Sequence, residues 1–287
     1  SGPETAEDSR THFGIFAPGV TQLFPEGAVI NLVPWEHNEV APLLAAALQT
    51  ERPIVALHLT RPAVAIPDRA ALGVPSHRLA ARGAYVIKPH DPKRPVEGTL
   101  IVQGTSTTES VYALLPRLLA GEGPNVKLVQ ACSYELFQLQ DQAWRDSVLP
   151  RVDWLDSTVI TNGARRLMHD WLPHKVAERY ALSSDWDDRW RTGGAVDEVM
   201  EEAHLSPRHI LEGIERFVRE RPARLRSLRE ALIEAGADAA RSRPCISHPK
   251  TYASMMVLPE TCRVSPSASA AGRQDDVPWV GGNPWIS

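Results

Sequence analysis

Short apolar runs and amphipathic stretches alternate along the first part of the chain. The β-branched, apolar runs at 28–33 and 53–59 are typical of buried strands, and the segment at 37–48 has the apolar spacing of an amphipathic helix. A strand, a helix and a second strand of these lengths predict a βαβ unit, in which the strands pair in parallel through a right-handed crossover.

A second alternation of strands and helices follows from residue 99. Ser106, with Glu109 three residues later, fits a capping box that opens the first of these helices. Ser206 and Pro207 fit the cap and the first position of the last helix. The pattern predicts a three-layer α/β domain with a mainly parallel sheet. The predicted strands are 99–104, 126–131 and 157–163, and the predicted helices are 106–120, 133–140, 173–180, 195–203 and 206–217.

Two segments lack this periodicity. Six prolines lie between residues 62 and 95. Because proline fixes φ and removes a hydrogen-bond donor, this segment is expected to be an ordered but irregular connection, apart from a short strand at 84–88. The residues at 243–287 are rich in proline, serine and glycine, and they are predicted to form a disordered tail.

Composition narrows the class of protein. The 287 residues include 31 Lys and Arg against 35 Asp and Glu, and the formal net charge of -4 argues against nucleic acid or an anionic membrane as partner. Charges and prolines interrupt every apolar run well before the ~18 residues of a membrane-spanning helix, and the polar, acidic segment at 1–10 is unlike a secretory signal. The three cysteines form no disulfide framework, which predicts reduced thiols in a cytoplasmic protein.

Two places offer side chains for chemistry. Asp8 and His12 lie four residues apart in a polar segment, and histidine is the side chain best suited to exchange a proton with a substrate hydroxyl at neutral pH. Arg61 follows the predicted strand at 53–59, at the end where open α/β sheets bind ligands, and arginine can hold a phosphate bidentately. From the residues alone, a surface pair and a structural salt bridge are the commoner explanations.

Other motifs have ordinary structural explanations. Gly104 precedes a helix as in a phosphate-binding turn, but the G-x-G-x-x-G and G-x-x-x-x-G-K-[ST] patterns are absent, so a tight turn is predicted. Cys132 follows a predicted strand and is expected to be a buried, unreactive thiol. Cys245, His248 and Cys262 are spaced irregularly in the predicted tail, and we do not interpret them as a zinc site.

Five segments are similar, in order, to motifs of one enzyme family. E-D-S-R-T-H at 7–12 is similar to E-D-G-P-T-H, and L-H-L-T-R at 57–61 with the following I-P is similar to L-S-R-x-x-L-P. A-R-G-A-Y-V-I at 81–87 is similar to G-G-Y-V-[LI], and G-T-L-I-V-Q-G at 98–104 is similar to the opening of the C-terminal domain. A-C-S-Y-E-L-F at 131–137, with W-R-D-S-V-L-P at 144–150, is similar to C-W-E-L-F and Y-R-x-x-V-L-P. Together they resemble the transketolase family of thiamine-diphosphate enzymes.

The resemblance implies an α/β fold in which a partial pyrimidine-binding α/β domain is followed by a complete three-layer α/β transketolase C-terminal domain. The implied boundaries are 1–67 for the partial domain, 68–95 for the interdomain crossing, 96–242 for the C-terminal domain and 243–287 for the tail. Family members transfer a two-carbon ketol unit between sugar phosphates. The chain is therefore expected to be the C-terminal part or a subunit of such a transferase, in the pentose phosphate pathway.

The resemblance also implies roles for the candidate residues. His12 would contact the hydroxyls on the carbonyl side of the donor and help proton movement as the catalytic residue, Asp8 would bind a sugar hydroxyl, and Arg61 would hold the sugar phosphate. The family's cofactors are thiamine diphosphate and Mg²⁺. No G-D-G followed by N occurs in this sequence, so the main cofactor residues are expected outside the chain, and no residue is assigned as a metal ligand. The chain is expected to be inactive by itself and to work as a homodimer or with an N-terminal transketolase-like subunit.

Two other functions remain open from the sequence. The chain could be a non-catalytic dimerisation or interaction module, or the first component of a 2-oxoacid dehydrogenase, which shares this ancestry. The segments similar to C-W-E-L-F and V-L-P favour a transketolase over the dehydrogenase.

Overall fold

A computed structural model describes residues 17–60, 64–189, 191 and 194–241. Asp8, His12 and Arg61 lie outside the described residues, as does the predicted tail at 243–287. Contacts between Cα atoms divide the chain into one unit at 1–234 and a second at 235–287. The second unit is described only for 235–241, which is the end of a long helix.

Among the described residues, the first sheet has two strands that pair in parallel, with a helix between them in the chain, as the sequence predicts. The pairing register places Val29 opposite Ile54 and Leu32 opposite Leu57. A short helix precedes the first strand and is absent from the sequence expectation. The bounds are α1 Ala17–Gln22, β1 Val29–Leu32, a 3₁₀ helix His37–Glu39, α2 Val40–Leu48 and β2 Ile54–Leu57.

The second sheet has five strands in the described residues. Its strands are β3 Ala84–Lys88, β4 Thr99–Gln103, β5 Lys127–Ala131, β6 Ser157–Thr161 and β7 Leu182–Ser183. Their spatial order is β3-β5-β4-β6-β7, and every neighbouring pair is parallel except β3 and β5. The mainly parallel sheet predicted for this part of the chain is therefore confirmed.

Apolar side chains cover both faces of the second sheet. Because successive side chains of a strand point to opposite faces, Leu100 and Val102 of β4 enter one apolar cluster and Ile101 enters another. The first cluster also contains Leu115, and the second also contains Trp171, both from helical segments. The result is the three-layer arrangement of helix, sheet and helix that the sequence predicts.

The helices of this part include the predicted ones and several others. Ser206 is the N-cap and Pro207 the first residue of the penultimate helix, as predicted. The final helix is not predicted by apolar periodicity, although its Arg, Ala, Leu and Glu residues have high helix propensity. None of the helices in the described residues is both long and apolar enough to cross a bilayer. The bounds are α3 Thr105–Leu119, α4 Tyr134–Gln138, α5 Gln142–Val148, α6 Arg151–Leu155, α7 Lys175–Glu178, α8 Val196–Glu202, α9 Pro207–Arg219 and α10 Arg221–Arg241, with 3₁₀ helices at His77–Arg82 and Arg165–Trp171.

Strand β3 has the bounds expected from the sequence, and it pairs antiparallel with β5 at one edge of the five-stranded sheet. Gly83 precedes the strand with φ of 81°, in the left-handed region. A Cβ at this position would lie 2.2 Å from the backbone nitrogen of Phe137. Glycine therefore allows β3 to pass close to the start of α4.

The predicted capping box of Ser106 and Glu109 is wrong. Helix α3 begins at Thr105, so Ser106 lies inside its first turn, and the N-cap is Gly104 with φ of 98° and no side-chain cap. The hydroxyl of Thr108 donates to the carbonyl of Gly104 at 2.6 Å. Gly104 can adopt this positive φ, so the chain turns directly out of β4 and the helix begins one residue before Ser106.

Candidate functional site

The carboxyl ends of β1 and β2 lie at the same edge of the first sheet, because the two strands are parallel. His58 follows β2 directly, and Thr60 is the last described residue before Arg61. The sequence hypothesis assigns Arg61 to this edge. Its convergence with Asp8 and His12 stays a prediction, since all three lie outside the described residues.

Asn31 of β1 joins the two strand ends. Its Oδ1 lies 3.3 Å from Nε2 of His58 and also contacts the hydroxyl of Thr21 on α1. Its Nδ2 donates to Oε1 of Glu135 at 2.7 Å, which identifies Oδ1 as the acceptor toward His58. The Nε2 atom of His58 therefore carries the proton of this hydrogen bond.

Glu135 connects this strand end to the second sheet. It lies in the first turn of α4, whose N-cap is Ser133. Its Oε2 accepts from the backbone N–H of Asn31 at 3.3 Å and from the hydroxyl of Ser133 at 3.2 Å. One carboxylate thus holds both the backbone and the side chain of Asn31, which orients the residue that faces His58.

Burial changes the charge of His58. The loss of solvent lowers the pKa of this imidazole to about 4, so the ring is neutral at pH 7. With Nε2 donating to Asn31, Nδ1 carries the lone pair and can accept a hydrogen bond. A neutral, fixed imidazole at a strand end is suited to bind a hydroxyl group of a ligand.

A second polar cluster lies just beyond β1. Glu36 and Glu39 are buried, and Nη2 of Arg69 lies 2.9 Å from Oε1 of each. Tyr85 of β3 donates from its hydroxyl to Oε1 of Glu39 at 2.6 Å, and Trp35 donates from its indole nitrogen to the same hydroxyl at 3.2 Å. The cluster ties the end of the first sheet to the edge strand of the second.

Burial and the neighbouring groups act in opposite directions on the pKa of Glu39, and they also do so on the pKa of Arg69. Burial raises the pKa of Glu39, although hydrogen bonds from Tyr85 and Trp35 and the charge of Arg69 oppose the rise. Burial disfavours the charge of Arg69, but Tyr85 and Glu39 outweigh it and raise the pKa of the guanidinium. Arg69 is therefore a permanent cation whose partners are fixed, which suits a structural role better than a ligand-binding one.

An open cavity of 340 Å³ adjoins the second cluster and the residues that follow β2. Trp35 and Glu36 line it on the β1 side, and Leu59 and Thr60 line it on the β2 side. The buried hydroxyl oxygen of Thr60 has no hydrogen-bond partner within the described part of the chain. The carboxyl edge of the first sheet therefore combines a concave space with a buried hydroxyl that bonds to none of the described residues.

No family model matches the chain. Over 144 residues, or 50% of this chain, it is 33% identical to the transketolase of Geobacillus stearothermophilus and 31% identical to transketolase 2 of Escherichia coli. Two solved structures, a Pichia stipitis transketolase complex with sedoheptulose 7-phosphate and the Leishmania mexicana transketolase, match 76% and 77% of the chain with TM-scores of 0.59 and 0.60. The chain resembles part of the transketolase family over half of its length.

The chain spans a minor part of these transketolases. The matched region covers 20% of each curated relative, and 29% and 30% of the two solved chains. The solved structures are 18% and 16% identical to this chain, so their likeness concerns the fold. It supports the expected α/β architecture.

The transketolase family implies thiamine diphosphate and a metal ion. Among residues 17–60, 64–189, 191 and 194–241, no group of three or more His, Cys, Asp and Glu side chains could hold a metal. The two neighbouring carboxylates beyond β1, Glu36 and Glu39, both bind Arg69. The described residues do not fit a site for magnesium and diphosphate.

Cys132 is the buried thiol that the sequence predicts. It is fully buried after β5, and its Sγ lies 3.6 Å from Oε2 of Glu39. Burial raises its pKa well above the ordinary value, and the charge of Glu39 adds to the rise. The thiol is protonated at neutral pH and therefore a poor nucleophile.

The sequence hypothesis does not single out three residues of this site: His58, Asn31 and Glu135. His58 and Glu135 lie inside segments that resemble family motifs, but the resemblance implies no role for either residue. Asn31 lies within an apolar strand and has no sequence signal of its own. Their importance follows from contacts between distant parts of the chain, which local patterns do not contain.

Proposed function

We propose that the chain is the C-terminal part or a subunit of a transketolase-like enzyme that transfers a two-carbon ketol unit between sugar phosphates. The observation that carries the proposal is the carboxyl end of β2. There the neutral His58 lies three residues before Arg61, in a segment similar to an arginine-containing transketolase motif. The identity of 33% to a curated transketolase supports the same function.

The chain's own residues would bind and orient the sugar. Arg61 would hold the phosphate bidentately, and Asp8 would bind a sugar hydroxyl. His12 would contact the hydroxyls beside the donor carbonyl and help move a proton there. His58, held by Asn31, would accept a hydrogen bond from a ligand hydroxyl at Nδ1.

The proposed enzyme needs residues that this chain does not supply. Thiamine diphosphate with Mg²⁺ would provide the carbon–carbon chemistry, and an N-terminal transketolase-like part would provide their main binding residues. The partner would be that subunit or a second copy of the chain. Reduced cysteines favour the cytoplasm as location, with the pentose phosphate pathway as setting.

The test compares the full chain by itself with the chain co-expressed with the upstream part of the Geobacillus stearothermophilus transketolase. Both are supplied with thiamine diphosphate, Mg²⁺, fructose 6-phosphate as donor and an aldose phosphate as acceptor. We expect ketol transfer from the pair and none from the chain alone. Transfer by the chain alone would contradict the need for a partner. A stable pair without transfer would favour the non-catalytic interaction module.

A further inference from the structure

A cavity of 470 Å³ lies beside β7, the strand at the opposite edge of the second sheet from β3. Its walls come from the segment around β7 and from helix α9. The volume is within the range of about 300–1,000 Å³ that small-molecule sites occupy. None of the residues that line this cavity has a role in the proposed ketol transfer.

A buried arginine fixes the loop after β7 against the end of α8. The side chain of Arg191 is fully buried, and it donates to the carbonyl of Ser184 at 2.6 Å and to the carbonyl of Glu202 at 3.0 Å. These two hydrogen bonds bring Trp186, two residues after Ser184, beside His204, two residues after Glu202. The fold itself therefore holds the two rings together.

Three rings form a stack at the cavity. The ring centroids of Trp186 and His204 are 4.1 Å apart, and those of His204 and His209 are 4.3 Å apart. His204 has φ of 56°, which is uncommon for a residue with a side chain and turns the chain at the end of α8. Partial burial lowers the pKa of His204, and the charges of His209 and Arg191 lower it further, so its ring is neutral at pH 7.

Trp186 has one ring face without a protein partner in the described part of the chain. The residue is 41% exposed, and among the described rings and guanidinium groups only His204 stacks on it. A nucleobase can stack on such an indole whatever its identity, because every base has a π face. The open face of Trp186 is therefore suited to a planar ring of a ligand.

Two arginines of the cavity have no carboxylate partner within the described ranges. Arg179 is exposed and forms no ion pair, and the guanidinium of Arg216 lies 5.8 Å over the ring of Tyr180 without one. The other two arginines of the lining are paired with acids. Because a guanidinium binds phosphate oxygens bidentately, Arg179 and Arg216 are suited to a phosphate group.

Acidic side chains share the lining. Glu212 and Glu215 of α9 are exposed, and neither forms an ion pair with a described residue. The charge of Glu212 opposes the lowering of the pKa of His204, which places this carboxylate near the stacked rings. A carboxylate can accept hydrogen bonds from ribose hydroxyls, whereas it repels a bare polyanion. The mixed charge therefore favours a ligand that carries hydroxyl groups as well as phosphate.

We propose that this cavity binds a free nucleoside phosphate. The base stacks on Trp186, the ribose hydroxyls donate to Glu212, and the phosphates bind Arg179 and Arg216. The net charge of -4 and the acids of the lining disfavour a nucleic acid strand, so the ligand is a single nucleotide. The proposal does not depend on ketol transfer.

Isothermal titration calorimetry of the full chain with ADP tests the proposal. Adenosine and inorganic diphosphate are the comparison ligands, because each lacks one half of the nucleotide. We expect ADP to bind with a Kd below about 1 mM and each half to bind at least about tenfold more weakly.

Substitutions in the cavity locate the binding. Trp186→Ala removes the stacking ring and Arg179→Ala removes a charge-assisted contact, and each should raise the Kd for ADP about tenfold. Trp186→Phe keeps a ring and should give an intermediate Kd. Arg229→Ala, an exposed change on α10, is the matched control and should leave the Kd unchanged.

The outcomes decide the proposal in either direction. ADP binding that is weakened by the cavity substitutions but not by Arg229→Ala supports the site. Binding that survives both Trp186→Ala and Arg179→Ala overturns it, as does the lack of saturation up to about 1 mM ADP. Diphosphate that binds as tightly as ADP, or oligoadenylate that binds more tightly, also overturns the assignment to a free nucleotide. If Trp186→Ala fails to fold by circular dichroism, Trp186→Phe and Arg179→Ala decide.

Discussion

Glu135 accepts hydrogen bonds from both the backbone and the side chain of Asn31, although the two residues are 104 positions apart in the sequence. The carboxylate therefore replaces the neighbouring strand that β1 would otherwise need on its outer side. It also fixes the amide that faces His58. One side chain of α4, the helix that follows β5, thus completes the outer side of β1 and orients its strand end.

Replacing Glu135 with alanine is expected to destabilise the fold by about 2–3 kcal/mol, because the N–H and Nδ2 groups of Asn31 would lose their acceptors in a buried position. Urea denaturation measures the free energy of unfolding. Glu230→Ala, an exposed change on α10, is the control and should alter it by less than about 0.5 kcal/mol. Equal effects of the two substitutions would contradict the role given to Glu135.

Arg69→Met is expected to cost about 3–5 kcal/mol, since it leaves Glu36 and Glu39 buried without their cation. The exposed change Arg78→Met is the matched control. The loss of unfolding free energy in Arg69→Met should depend on pH. Arg69 lowers the pKa of Glu39, so its removal raises that pKa further above the ordinary value of 4.5.

A raised folded-state pKa gives stability that is present below pH 4.5 and is lost as pH rises through the folded value. The deficit of Arg69→Met should therefore be larger at pH 8 than at pH 5 in urea denaturation. A deficit that is constant with pH would show that Glu39 does not take up a proton when the guanidinium is removed.

The lowered pKa of His58 predicts that stability depends on pH with the opposite sign. Its pKa is lowered by burial from 6.5 to about 4, so between these values the unfolded chain binds a proton that the folded chain does not. The contribution of neutral His58 to the free energy of unfolding is complete above pH 6.5. It falls by up to about 3 kcal/mol as the pH drops to 4. His58→Gln should remove this part of the pH dependence, whereas the exposed His37→Gln should leave it. An imidazole NMR titration of His58 near pH 6.5 would refute the assignment.

The strands were predictable because their signal is local. Apolar run length gives β1 and β2 within one or two residues, and it gives β3 at its observed bounds. The apolar pattern does not predict helix α10. This helix is rich in Arg, Ala and Glu, which have high helix propensity, and it has no continuous apolar stripe. The contacts of Asn31, His58 and Glu135 join β1, the residue after β2 and helix α4. These contacts depend on how the two sheets meet. No spacing in the sequence encodes that arrangement.

Gly104 is expected to be intolerant of a side chain, because its φ is 98° and a Cβ would lie 2.1 Å from Oδ1 of Asn162. Gly104→Ala should lower the free energy of unfolding by more than about 1 kcal/mol. Gly236→Ala is the contrasting change, since nothing lies within 4 Å of its Cβ and the residue is in helix α10. Alanine there should raise local helix stability by about 0.5–1 kcal/mol, as read from helicity by circular dichroism.

Arg61 offers a prediction about substrate choice. If it holds the sugar phosphate, Arg61→Ala should reduce kcat/KM for fructose 6-phosphate by at least about tenfold in the co-expressed pair, because a charge-assisted bidentate contact is lost. The unphosphorylated donor fructose makes no such contact, so its kcat/KM should be unchanged and the ratio between the two donors should fall. Arg61→Lys keeps the charge without the planar fork and should give an intermediate ratio. Equal losses for both donors would mean that Arg61 supports the fold or the partner contact, and the phosphate would then be held by another residue.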